Sequence, residues 1–394
     1  MSAHPLPGGN WKKELPAPVT RLGWILLVAG IVLGGIALAV DPHRSAFNLI
    51  VLFLYMASLA AGSIFLVALE YVSGAVWSVP MRRVNEFLAS LTPVVPLLAL
   101  PLLFNMQEAY QWMHPGAMTL DRTLALKEPY LNFSFFVVRF VVVFAVWVLF
   151  YILITRNSMR QDVTGDLRHT VFNNRLSAVF MPVFAVTLTV VAIDWAMSLE
   201  PRWYSTIFGV YYFSGTVVAS IAAATLIIVF LNERGYFPAL RRDHYYSLGA
   251  LMFAFVNFWA YIAFSQFLLI WYGNLPEETF WFMKRWVHGW QYISVLLILM
   301  QFAVPYAMLL SQNSKMDPRR LKFMAIWLLV AHFVDIYWLV MPSYDGSIPF
   351  GWMELSFPLI GVGLVIVVLA YRMQKVSLIP LRDPKLERGL GFHL

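Results

Sequence analysis

The sequence predicts an all-α integral membrane protein with ten transmembrane helices. Of its 394 residues, 60% are hydrophobic and 12% are charged, and the mean hydropathy is +0.69. An ordinary soluble domain carries about twice that share of charged residues. Ten apolar runs are each long enough to cross a bilayer as a helix.

The predicted spans form a single membrane domain over 22–373, between an N-terminal segment at 1–21 and a C-terminal tail at 374–394. In chain order the ten spans are 22–40, 48–76, 84–104, 131–154, 177–198, 207–232, 245–272, 285–311, 319–341 and 350–373.

Orientation follows from the lysines and arginines, most of which lie on the side that also holds both termini, as in the loop at 156–176. Because basic loops are retained in the cytoplasm, both termini are predicted to be cytoplasmic and the segment 105–130 periplasmic. The net charge of +7 is therefore a topology signal, and no nucleic-acid partner is predicted.

Two features recur in the same order along the chain. Small-residue patches occur at 57–63 (ASLAAGS) and at 219–225 (ASIAAAT). Seven residues also separate Asp194 from Pro201, and seven separate Asp335 from Pro342. These matches predict two four-helix bundles, spans 2–5 (about 48–198) and spans 6–9 (about 207–341), related as a parallel repeat and flanked by spans 1 and 10. The alternative is that small-residue patches are simply common in membrane helices.

Six ionisable residues within the spans are the candidate functional residues. A charged group at the centre of a bilayer costs about 2.5–3.5 kcal/mol even on the lenient insertion scale, so each should face protein or water. The alternative role is structural, since Arg139 needs an acidic partner from another helix and such a pair can fix helix register. The candidates for proton transfer are Asp194, Asp335, His332, Glu70, Arg139 and Glu354.

Four functions are compatible with these residues. Proton transfer would use the acids and the histidine as two half-channels. A quinone pocket at one face would use an acid or a histidine as proton acceptor within an aromatic lining. A b-type haem needs two histidines, and only His288 and His332 lie within spans, at different depths. Solute transport would need broken helices, for which Pro93, Pro96 and Pro101 in the third span are suited.

The chain has no cysteine. This composition excludes disulfides, iron–sulfur ligation and covalent c-type haem attachment by its own residues. No metal site is predicted, and no residue is assigned to quinone binding.

Three stretches resemble one family: AIDWAMSLEPRWYSTIFG at 192–209, HFVDIYWLVMPSY at 332–344 and QWMHPG at 111–116. They resemble the NrfD-like family of polysulfide reductase membrane subunits, and within it the second large membrane subunits of bacterial alternative complex III. The resemblance covers essentially the whole chain and implies the same ten spans and two bundles. Its motifs contain Asp194 and Asp335, with His332, whereas the other three candidates rest on the burial argument alone.

The resemblance implies a multi-pass subunit of a respiratory quinol:cytochrome c oxidoreductase in the bacterial inner membrane. The implied partners are a paralogous NrfD-like subunit, a multihaem cytochrome c, an iron–sulfur subunit, lipids and menaquinol. The implied role is proton conduction or scaffolding beside the quinol-oxidising subunit, without catalysis by the chain alone. The alternatives are a quinol or quinone site of its own near the periplasmic face, and secondary transport. No covalently bound or thiolate-held cofactor is expected.

Overall fold

The computed structural model describes residues 11–237 and 240–394, so residues 1–10 of the predicted N-terminal segment lie outside the described part. The described residues form helices and connecting segments, without a β-strand. The first half contains α1 (Ala17–Val40), α2 (Pro42–Ser73), α3 (Arg82–Ala89), α4 (Val95–Leu103), α5 (Ala117–Leu120), α6 (Arg122–Ala125), α7 (Phe133–Thr164) and α8 (Arg168–Trp195). The second half contains α9 (Phe208–Asn232), α10 (Arg242–Gly273), α11 (Pro276–Lys284), α12 (Trp290–Ile298), α13 (Val304–Leu309), α14 (Gln312–Met316), α15 (Pro318–Val340), α16 (Trp352–Lys375) and α17 (Leu386–Leu390).

In this described part, nine helical segments are long and apolar enough to cross a membrane. The fold is therefore that of an all-helical, multi-pass membrane protein. One of the nine joins α12 and α13 through a π-helical stretch, Leu299–Ala303. The nine segments match nine of the ten predicted spans.

The third predicted span, 84–104, differs from the expectation of one continuous helix. It forms α3 and α4, separated by a turn at 90–94. Pro93 lies in this turn, and a proline ring blocks the helical conformation of the preceding residue and removes a backbone donor. The span therefore breaks where the proline falls, and the count of ten transmembrane helices stays a prediction.

Side-chain caps and left-handed glycines set the ends of two of the long helices. The Asp41 side chain caps the start of α2, and Gly74 ends the helix at φ 66°. Asn132 and Gly165 bound α7 in the same way, with φ 70° at the glycine. Capping side chains satisfy free backbone N–H groups, and glycine adopts positive φ without steric cost.

The centre of the molecule is the contact between α2 and α9, which are the two most deeply buried spans. Their small-residue patches pack against each other: a Cβ atom on Gly62 would lie 2.2 Å from Ser220 Oγ and 3.0 Å from Thr216 Cγ2. The backbones can approach this closely only because position 62 lacks a side chain. Around this pair, α2 also contacts α8 and α15, while α9 contacts α15, α8 and α10.

The C-terminal tail packs onto the helices. Leu378 and Ile379 are fully buried, and the backbone N–H of Leu378 donates to the carbonyl of Trp11. Further along, His244 in α10 bonds the carbonyl of Gly389 at 2.8 Å. The tail thus ties the N-terminal segment to the start of α10.

The helical body has two ends that carry different candidate residues. The Asp194 end holds Asp194 and Asp335, near the last turns of α8 and α15, and Glu354, in the first turn of α16. The Glu70 end holds Glu70, near the last turn of α2, and Glu86 in α3.

Candidate functional site

Asp335 is buried in α15 and bonded only by neutral donors within the described residues. Asp335 is 1% exposed. Tyr211 Oη donates to Asp335 Oδ1 at 2.5 Å, and Trp259 Nε1 donates to Oδ2 at 3.1 Å. The two donors come from α9 and α10, so three helices meet at this carboxyl group.

His332 lies one turn before Asp335 on the same face of α15 and is fully buried. Its Nε2 atom is 2.8 Å from Ser58 Oγ in α2. The Ser58 hydroxyl has one hydrogen, which it donates to the carbonyl of Tyr55 at 2.7 Å. With the Ser58 hydrogen on the Tyr55 carbonyl, Ser58 accepts from His332 Nε2–H, and Nδ1 is then the acceptor atom of the ring.

Gly215 in α9 packs against both the histidine and the acid. A Cβ atom at this position would lie 3.1 Å from His332 Nδ1 and 3.3 Å from Asp335 Oδ2. Both side chains thus face the same glycine. His332 Nδ1 is buried and has no hydrogen-bond partner among the described residues.

Asp194 has a different environment from Asp335. Arg139 in α7 binds it in a bidentate manner, with Nε 2.7 Å from Oδ2 and Nη2 3.0 Å from Oδ1. Tyr130 Oη donates to Oδ1 at 2.9 Å, and the Arg139 guanidinium stacks on the Tyr130 ring at 3.8 Å. Asp194 is thus the acidic partner from another helix that the sequence predicts for Arg139. A bidentate arginine holds a carboxylate in its charged form and in fixed geometry.

Glu354 is also held by an arginine, at the Asp194 end. Arg44 Nε and Nη2 donate to its two oxygens at 2.7 and 2.6 Å, and Asn48 Nδ2 donates at 3.0 Å. These bonds tie the start of α16 to the start of α2. The carboxylate is fully satisfied, so its contacts are those of a structural clamp.

At the Glu70 end, Arg82 is the centre of a buried ionic network. Its guanidinium lies 2.9 Å from Glu70 Oε1, 2.7 Å from Asp383 Oδ2 and 3.4 Å from Glu86 Oε1. Residue 82 is 2% exposed although it lies in a segment predicted to flank the membrane. Asp383 comes from the C-terminal tail, which thus completes the network.

Arg83 extends this network. It pairs with Glu86 and, at 2.5 Å, with Asp162 Oδ2 near the end of α7. The connected network therefore contains four carboxyl groups and only two guanidinium groups. Buried like charges disfavour full ionisation. A network with four carboxyl groups and two guanidinium groups is therefore suited to bind a proton.

Asp335, its two donors and His332 are called the Asp335 cluster. A large cavity adjoins this cluster. It has a volume of about 1040 Å³ and lies among α10, α11, α12 and α15. Tyr211 and Trp259, the two donors to Asp335, form part of its wall. Its other aromatic residues are Tyr261, Phe264, Phe267, Trp271, Trp281, Phe282, Trp286, Phe302 and Trp338.

Arg285 is a buried cation on the wall of this cavity, with 1% exposure. Its side chain donates to three backbone carbonyls, those of Trp281, Trp338 and Leu339, at 2.8–3.1 Å. Two of these carbonyls belong to the last turn of α15, where the helix dipole is negative. The guanidinium also stacks on the Trp281 ring at 3.4 Å.

The segment between α4 and α7 covers part of the Asp194 end. Arg202 bonds Asp121 at 2.7 Å, and this contact, with the backbone N–H of Thr123, lowers the pKa of Asp121 below its ordinary value. Lys127 reaches the carbonyl of Pro201 at 2.5 Å. The segment is thereby attached to the turn that follows α8.

The two histidines predicted within spans have different surroundings. His288 is exposed in the segment between α11 and α12, at φ 52°. His332 is buried against Ser58 in α2. One ring is thus exposed and the other is buried. Of the two histidines, only His332 lies beside a candidate acid, Asp335.

The residues that the sequence did not single out are Tyr211, Gly215, Trp259, Arg285 and Arg82. An aromatic residue near a membrane boundary is ordinary, so no pattern marked Tyr211 or Trp259 as donors to an acid. Arg82 lies in a loop between predicted spans and Arg285 begins the eighth predicted span, positions at which a basic residue is an ordinary topology signal. An arginine beside several aromatic residues at a span end is a usable signal, because burial of Arg285 depends on them.

Neither a family model nor a curated protein sequence matches this chain.

Proposed function

We propose that this chain is a membrane subunit of a respiratory quinol:acceptor oxidoreductase of the alternative complex III type, and that Asp335 and His332 transfer protons in it. The observation that carries the proposal is the difference between the two buried acids. Asp194 forms a bidentate ion pair with Arg139, whereas Asp335 receives hydrogen bonds from two neutral groups only, as far as the described residues extend.

The difference matters because a proton can join or leave Asp335 without breaking an ion pair. Protonation of Asp194 would leave the Arg139 charge uncompensated, and breaking a buried pair costs about 3–5 kcal/mol. Tyr211 and Trp259 can remain bonded to either form of Asp335, since a protonated carboxyl group keeps acceptor capacity. Of the two acids, Asp335 is therefore suited to exchange protons and Asp194 to hold helices together.

The next proton acceptor is His332. Its Nδ1 lone pair and Asp335 Oδ2 both border Gly215, and its Nε2–H group contacts Ser58. The Ser220 hydroxyl also lies at the contact of α2 and α9, where it donates to the backbone carbonyl of Ser58 at 3.1 Å. We propose that the path continues along this contact to the ionic network around Arg82 at the Glu70 end, called the Glu70 network. Its excess of carboxyl groups supplies the second proton site.

The parallel repeat is part of the proposal. The contacts of α2 with α8 and of α9 with α15 are equivalent under it, as are the contacts of α8 with α9 and of α15 with α2. Arg139 and Arg285 are also comparable: each stacks on an aromatic ring and donates from Nη1 to that residue's carbonyl. These pairs support two bundles of four spans, although the third span is broken.

The proposed setting is a bacterial inner membrane, with both termini in the cytoplasm and the Asp194 end at the periplasmic face. Electron transfer would belong to partner subunits, a multihaem cytochrome c and an iron–sulfur protein, because this chain has no cysteine to hold a cluster. Quinol oxidation would belong to a paralogous membrane subunit.

Paired Asp→Asn variants of the assembled complex in proteoliposomes test the proposal. Asp335→Asn keeps the shape and most hydrogen bonds but removes the proton site, so we expect normal subunit content and a fall in proton movement on the order of 10²-fold. Asp194→Asn is the matched control, for which we expect low yield of the complex but unchanged turnover per assembled complex. Full proton movement by the Asp335→Asn complex would contradict the proposal.

A further inference from the structure

The cavity beside α10 has the shape and lining of a site for an amphipathic ligand. Its wall is mostly aromatic and aliphatic, from Tyr211 near the Asp335 cluster to Phe302 in the π-helical stretch. Tyr261 and Trp271 are both 66% exposed, so their side chains form an open rim on α10. The mouth of the cavity therefore opens to the outside of the helical body, which for a membrane protein is the acyl-chain region of the bilayer.

Arg285 gives this apolar cavity one buried positive charge. A guanidinium group has five N–H donors, and three backbone carbonyls take up three of them. No carboxylate of the described residues lies within ion-pair distance of Arg285. The adjacent acid, Glu200, pairs with Lys284 at 2.5 Å. Two N–H groups of Arg285 and a positive charge without an acidic partner among the described residues thus remain beside the cavity.

A second polar group on the wall lacks a partner. Gln266 in α10 is 3% exposed, and its Oε1 atom is buried without a hydrogen bond to any described residue. A buried acceptor without a donor costs about 1–3 kcal/mol. A ligand with a hydroxyl group beside its negative charge would satisfy Gln266 and Arg285 together.

From this geometry we infer that the cavity binds one acidic phospholipid of the phosphatidylglycerol type. Its phosphate accepts hydrogen bonds from the free donors of Arg285, its glycerol hydroxyl donates to Gln266, and one acyl chain lies along the aromatic wall. A phosphodiester accepts in the forked geometry that a guanidinium offers. A neutral quinone ring would fill the aromatic part but would leave the Arg285 charge uncompensated. The inference concerns binding and does not depend on the proposed proton transfer.

Lipid counting by native mass spectrometry tests the inference on the purified, delipidated full-length protein. Dioleoyl-phosphatidylglycerol and dioleoyl-phosphatidylcholine are the two probes. We expect one phosphatidylglycerol molecule to bind about tenfold more tightly than phosphatidylcholine, and Arg285→Gln to abolish that preference. Arg202→Gln, which removes an exposed arginine at the same end of the molecule, is the control and should keep the preference.

A second variant separates binding from folding. Ala263→Phe places a large side chain on the α10 wall of the cavity and leaves Arg285 in the sequence, so it should remove the tight lipid molecule while the thermal midpoint in detergent stays near that of the parent. The inference is wrong if the parent protein binds both probes equally, if Arg285→Gln keeps the preference, or if Ala263→Phe retains the tight lipid. Recovery of a quinone instead of a phospholipid from the parent protein would also overturn it.

Discussion

At the scale of single residues, two aspartates at the same position in their helices have different partners. The seven-residue spacing to a proline makes Asp194 and Asp335 look equivalent in the sequence. In the structure, one is bonded by a guanidinium and the other by a phenol and an indole. The pairing of Arg139 with an acid could be predicted, because a lone arginine inside a span needs one. The donors to Asp335 could not, because they come from helices that only the tertiary packing brings together.

Gly215 offers a test of the Asp335 cluster that leaves every titratable group in place. In Gly215→Ala the new methyl group would lie 3.1 Å from the His332 ring and 3.3 Å from Asp335 Oδ2, so both must move by a few tenths of an ångström. We expect the variant complex to assemble and its proton movement in proteoliposomes to fall by about tenfold, because proton transfer depends on hydrogen-bond distance.

Gly35→Ala in α1 is the control for that substitution. Apart from its own helix, no atom of the described residues lies within 4 Å of the Cβ position at Gly35, and alanine is a better helix former than glycine. The control should therefore leave both assembly and proton movement unchanged. Equal rates for the Gly215→Ala complex and the control would argue against a functional contact between His332 and Asp335.

At the scale of the helices, apolar length predicted most spans and a proline explains the exception. Nine of the predicted spans correspond to helical segments of the described chain. The third predicted span forms two helices instead of one, because Pro93 lies within it. The length and composition of 84–104 were right for a span, and those properties carry no information on where a helix bends. The three prolines of this span are compatible with a broken helix, but their presence alone does not give the site of the break.

The contact of α2 with α9 makes the small-residue patches testable. Gly62→Ala would put a Cβ atom 2.2 Å from Ser220 Oγ, so the two helices must separate or the serine must rotate. We expect the thermal midpoint in detergent to fall, corresponding to about 1–3 kcal/mol of overpacking.

Ser220→Gly should rescue the Gly62→Ala variant, because it removes the side chain that the new methyl group meets. The double variant should recover most of the lost stability, whereas Ser220→Gly alone should show only the modest cost of a glycine in a helix. If the two substitutions are additive instead, the helices do not approach each other at these positions.

At the scale of the whole molecule, the packing of the C-terminal tail is the feature that the sequence does not predict. The charges of residues 374–394 predict a cytoplasmic C-terminal tail and give no information on what the tail contacts. In the structure, Asp383 completes the network of Arg82, and the tail packs against the start of α10. The two residues of that ion pair are about 300 positions apart in sequence. No periodicity links them, so only the folded chain brings them together.

The absolute orientation of the molecule is a prediction from charge that the helix packing alone does not fix. If basic segments are retained in the cytoplasm, the end of α7 lies inside and the segment between α4 and α7 lies outside. The chain has no cysteine, so single cysteines can report on either side without background. Leu120 is 88% exposed in that segment, and Arg160 is exposed near the end of α7.

We therefore expect a membrane-impermeant maleimide to label Leu120→Cys in spheroplasts and to label Arg160→Cys only after the membrane is opened. The cysteine-free parent is the control and should not be labelled in either condition. The reverse pattern would invert the whole molecule, so that the Asp194 end faced the cytoplasm. Asp335 would then exchange protons with the cytoplasm and the Glu70 network with the periplasm. Labelling thus decides the direction of the proposed proton path as well as the orientation of the helices.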